Sequence, residues 1–80
     1  MNDGSADIKD SGHPEGRYAN YFEVGHNAVE FLLDFGQFYP ESEKAHVHTR
    51  IVTSPVYARA FLETLRDALD RFQETFGTLE

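Results

Sequence analysis

The hydrophobic period of this chain changes once, at Ser54-Pro55, and that single change fixes the order of its elements. After it, Ala58, Phe61, Leu62, Leu65, Ala68, Leu69, Phe72 and Phe76 recur at steps of three and four, which is the period of one helix face. Glu63, Arg66, Asp67, Asp70, Arg71 and Glu74 fall on the other side, with Asp67 and Arg71 in the favourable i,i+4 order. Both ends are marked. Ser54 is an N-cap residue and Pro55 takes the first helical position, where its missing N–H costs nothing. Gly77 stands where a helix closes through a left-handed residue.

Before Ser54 the period is two. Ala19 to Val24 reads as a first strand, followed by turn chemistry at Gly25-His26-Asn27. Val29 to Phe38 alternates Val29, Phe31, Leu33 and Phe35 with Glu30, Leu32, Asp34 and Gly36. Phe38-Tyr39-Pro40 ends it, because proline cannot donate into a ladder. Ala45 to Thr53 is the third strand, rich in β-branched residues. Its alternation sets Ala45, Val47, Thr49, Ile51 and Thr53 against His46, His48, Arg50 and Val52. Short loops predict an antiparallel meander. The expected fold is therefore α+β, β-β-β-α, with the helix laid on the sheet face that carries Phe22, Val24, Val29, Phe31, Leu33, Phe35, Val47 and Ile51.

Residues 1–16 hold three glycines, one proline, two serines and few apolar side chains. Such a segment buries too little to offset its ordering entropy. A disordered acidic tail is expected there, ahead of a single domain over 17–80. Met1-Asn2-Asp3-Gly4-Ser5 has neither the basic start nor the apolar run of a secretory leader. No apolar stretch is long enough to span a membrane. These features, with the absence of cysteine, fit a cytoplasmic protein and remove thiol chemistry. The net charge is −7, divided as −3 over the first 16 residues and −4 over the rest. Neither part supplies the positive field that nucleic acid or an anionic membrane calls for.

One helix covers one sheet face. The second face should then present Tyr21, Glu23, Glu30, Leu32, Asp34, His46, His48, Arg50 and Val52. If residue numbers on the second and third strands sum to 84, Asp34 faces Arg50 and Leu32 faces Val52, both favourable pairs. A single-layer core in so short a chain is marginal. Tyr21, Leu32, Asp34, Arg50 and Val52 are therefore expected to form an interaction face for a homo-oligomer, dimer or higher.

Little in the sequence carries chemistry. His46 and His48 make a His-X-His that a metal could share with Asp34 or Glu30, although two solvated histidines account for it as well. Glu30 and Asp34 are not adjacent on their strand, so they form no matched carboxylate pair for glycoside hydrolysis. Ser54 before Pro55 is capping chemistry rather than a nucleophile. Tyr18, Tyr21 and Tyr39 lie at strand ends, where packing at the core edge explains them. No cofactor is implied.

The stretch Tyr18-Ala-Asn-Tyr, then His26-Asn-Ala-Val-Glu30-Phe-Leu-Leu-Asp34-Phe-Gly, then Pro40, then Val47-His-Thr-Arg50-Ile-Val-Thr-Ser54-Pro55, Ala58-Arg59 and Leu65 to Gly77 resembles the domain-of-unknown-function family numbered 3467. Its members are small bacterial and archaeal proteins. The resemblance spans nearly all of residues 18–77 and implies a family without an activity. Asn20, Glu30, Asp34, Arg50 and Pro55 match its pattern, which admits other polar residues at His46 and His48. Asn20, Glu30, Ser54, Pro55 and Gly77 are accordingly read as structural.

The reading that follows is a non-catalytic interaction module, a homo-oligomer that binds another protein. A chaperone-like acidic oligomer, a metal or enzymatic site at the His46/His48 face, and a nucleic-acid-associated regulator stand behind it in that order.

Overall fold

The computed structural model describes residues 14–79. The tail expected over 1–16 lies almost wholly outside them; residues 14–16 are exposed and without regular structure. Three strands form one antiparallel sheet in chain order: β1 (Tyr21–His26), β2 (Phe31–Tyr39) and β3 (Lys44–Thr53). A single helix, α1 (Pro55–Phe76), follows. The architecture is thus the α+β meander and C-terminal helix that the change of period predicts.

The register is the expected one where the pattern is regular. Leu32 pairs with Val52, Leu33 with Ile51 and Asp34 with Arg50. Across the other seam Phe22 pairs with Phe35, Glu23 with Asp34 and Val24 with Leu33. Side chains therefore align in rows across three strands. Phe22–Phe35–Thr49 and Val24–Leu33–Ile51 occupy the helix side. Glu23–Asp34–Arg50 and Gly25–Leu32–Val52 occupy the second face.

The first hairpin differs from expectation. β1 begins two residues later and runs through Gly25 and His26, so these are ladder residues rather than turn residues. The turn falls at 27–30. Asn27 Oδ1 accepts the N–H groups of Val29 and Glu30, each at 2.8 Å, and Asn27 N–H donates to Glu30 O at 3.0 Å. An asparagine side chain that captures the backbone two and three residues on outcompetes the alternation signal at Val29. Val29 is exposed, and Glu30 closes the turn instead of joining Asp34 on a strand face.

A bulge between Phe35 and Gly36 changes the rest of β3. Thr49 pairs with Phe35, yet Gly36 pairs with Val47, so His48 is the extra residue. One inserted residue reverses which face every later side chain takes. Val47 moves to the second face and His46 moves to the helix side, opposite Gln37. The expected sharing of a face by His46, His48, Asp34 and Arg50 is overturned by this insertion. Gly36 permits the bulge. A Cβ there would stand 2.9 Å from Val47 Cα and closer still to the His46 carbonyl oxygen.

The helix ends are where Ser54 and Gly77 place them. Ser54 Oγ accepts the Tyr57 N–H at 3.2 Å, and Ser54 O accepts the Ala58 N–H at 2.8 Å. Gly77 has φ 99°, open chiefly to glycine, and its N–H donates to Gln73 O at 2.9 Å.

Candidate functional site

The first half of the helix borders the expected sheet face, and loosely. Tyr57 and Phe61 border a groove with Leu33, Phe35, Ile51 and Thr53. Phe61 and Leu65 border a second groove, about 250 Å³, with Phe22, Glu23, Val24, Leu33, Asp34 and Phe35. Phe22 and Phe35 meet edge to face with ring centres 5.8 Å apart, a favourable aromatic geometry. Even so, Phe61 and Leu65 remain 45% exposed, and Leu69 and Phe72 remain 40% and 43% exposed. Among the described residues no apolar side chain is buried. The single-layer core that the sequence reading expects to be marginal is an open layer.

The buried polar residue is Asp34, 7% exposed, at the centre of the second face. Arg50 donates to it through Nε and Nη2, both at 2.8 Å, in a bidentate fork. These hydrogen bonds hold the Asp34 carboxyl below the usual carboxylate range; desolvation opposes them and loses. The fork also pushes the Arg50 guanidinium up. Glu23 stands on the far side of Asp34 in the same row and accepts a hydrogen bond from the Tyr21 hydroxyl. That bond pushes the Tyr21 phenol up. Leu32 and Val52 form the adjoining apolar row. The register thus brings together four of the five expected face residues, Leu32, Asp34, Arg50 and Val52, and sets Tyr21 beside them through Glu23.

The remaining candidates have local roles. Asn20 extends the β1 ladder with its side chain: its Oδ1 accepts from Phe38 N–H at 2.7 Å and its Nδ2 donates to Phe38 O at 3.4 Å. The His48 ring lies 2.7 Å from Thr49 Oγ1 and 3.0 Å from Tyr18 O, while Arg17 Nη1 donates to His48 O at 3.3 Å. His46 meets the Tyr39 ring, centres 6.1 Å apart. Both histidines thus have protein partners on the side away from Asp34. Among the described residues no group of three or more His, Asp or Glu side chains comes together to hold a metal. Tyr39 donates to Gln37 at 3.1 Å within its own strand, so the tyrosines do not form one stacking platform. Sequence reasoning missed the Glu23–Asp34–Arg50 row as a unit, although Glu23 was legible once the first seam was in register.

These features define a small α+β module with one open apolar side and one mixed face built around an ion pair. The family model described as "Protein of unknown function (DUF3467)" matches residues 6–80, nearly the whole chain, and the chain belongs to that family. Comparison with curated proteins and with solved structures gives no match. Among the described residues no helix is long and apolar enough to cross a membrane.

Proposed function

We propose that this protein is a non-catalytic interaction module that works as a homo-oligomer and holds another protein. The observation that carries the reading is the absence of any buried apolar side chain among the described residues. Burial of apolar surface is the main force that offsets chain entropy. A chain that folds with its helix stripe and sheet face this bare needs a permanent cover. The second face, with Tyr21, Leu32, Asp34, Arg50 and Val52, mixes apolar rows with a satisfied ion pair. That mixture is typical of surfaces that meet a partner transiently rather than of a permanent interior. The grooves are lined mostly by Phe, Leu, Val and Ile, with Thr53 and Tyr57 in the first and Glu23 and Asp34 in the second, so hydroxyls and carboxylates line different grooves, whereas covalent catalysis requires a nucleophile beside its base.

Thermal unfolding as a function of concentration tests the reading. If the folded state is an assembly, the melting temperature rises with protein concentration. A melting temperature unchanged over a hundredfold concentration range removes it.

A further inference from the structure

A helix of 22 residues is about 33 Å long, whereas three strands spaced about 4.8 Å apart make a narrow support. The two grooves use the helix only at Tyr57, Phe61 and Leu65. Beyond them the stripe continues through Leu69, Phe72 and Phe76, which line neither groove. Phe72 and Phe76 stand together, ring centres 5.1 Å apart, and Phe76 is 74% exposed. The chain therefore carries an aromatic knob at the helix end and, elsewhere, an open, mostly apolar groove with Phe22 and Val24 at 60% and 63% exposure on its rim.

We propose that a second copy of this chain fills that groove: the Phe72–Phe76 end of each helix seats against Phe22, Val24, Phe61 and Leu65 of the other copy. The inference rests on the homo-oligomer reading and names its interface. Four observations select a second copy as the occupant. Knob and groove lie on the same chain, so a two-fold pair satisfies both ends at once and closes. The groove, about 250 Å³, is of a size to receive an aromatic side chain. The stripe from Ala58 to Phe76, the part that would enter the groove, carries no charge, so it adds no repulsion to a chain of net charge −7. Finally, Phe22, Val24 and the stripe residues leave on the order of 1,000 Å² of apolar surface bare in each chain, taking ~150–250 Å² for a whole aromatic side chain. Doubled, that reaches the size at which permanent homodimers begin.

The test is photo-cross-linking with p-benzoylphenylalanine at Phe72, at Phe76 in a second variant and at Tyr21 in a third, each mixed with isotope-labelled parent. Circular dichroism establishes that each variant folds, and the separate Phe76 variant covers the case in which the Phe72 variant does not. The expected result is a light–heavy cross-link from the helix probe landing between Phe22 and Val24 or between Phe61 and Leu65, several-fold stronger than any from Tyr21. Helix-probe cross-links that stay within one chain, are absent, or land on Leu32 or Val52 overturn the inference. If such a result comes with a parent that still has the mass of an assembly, the homo-oligomer reading survives. A parent that stays monomeric ends both.

Discussion

At Gly36 a single methyl group would collide with backbone rather than with a side chain, because the nearest atoms belong to His46 and Val47 across the bulge. Backbone cannot rotate aside as a side-chain tip can. Gly36→Ala should therefore destabilise the fold by about 3 kcal/mol, the upper end of the overpacking range, read as a lower urea midpoint. A midpoint equal to the parent's would show that β3 has room to move. Asp34 gives the pH dependence. Its folded pKa is lowered, so the stability it contributes is whole above the ordinary carboxylate value near ~4 and is lost as pH falls through the lower folded value. Urea midpoints should drop as pH falls below about 5, and Asp34→Asn should flatten that drop while leaving a less stable protein at pH 7. An unchanged acid profile would place the loss on other carboxylates.

The four elements differ in how well the sequence discloses them. The helix was legible to the residue, because Ser54-Pro55 and Gly77 act through their own backbone chemistry. The central register was legible because it pairs Asp34 with Arg50 and Leu32 with Val52. The bulge was not. Nothing in the alternation of β3 distinguishes an extra His48, and Gly36, the residue that admits it, lies on the other strand. The first turn was misplaced because Gly25 offers turn freedom that it does not use, while Asn27 supplies the hydrogen bonds that form the turn. Ser54→Ala removes the cap acceptor of the Tyr57 N–H and should cost about 1 kcal/mol with an unchanged urea m-value. A loss well below that would mean the cap is replaced by water.

For the whole molecule, size and exposure point the same way. A chain of eighty residues is marginal even with a closed core, and here Phe61, Leu65, Leu69 and Phe72 stay two-fifths bare or more. The amphipathic pattern disclosed which residues form the apolar stripe; it could not disclose how far the sheet of the same chain covers them, because an apolar stripe has the same spacing whatever covers it. Leu65→Asp should then abolish cooperative unfolding, since it places a carboxylate in the middle of the apolar stripe, at the groove with Phe22 and Val24. A melt like the parent's would show that this side stays wet. The central claim, that the fold is completed by a second copy, is tested most directly by sedimentation equilibrium of the parent protein at micromolar concentration, from ~1 to ~100 μM. The account predicts the mass of two or more chains throughout the upper part of that range. A single-chain mass persisting at ~100 μM in a protein that still melts cooperatively would contradict it.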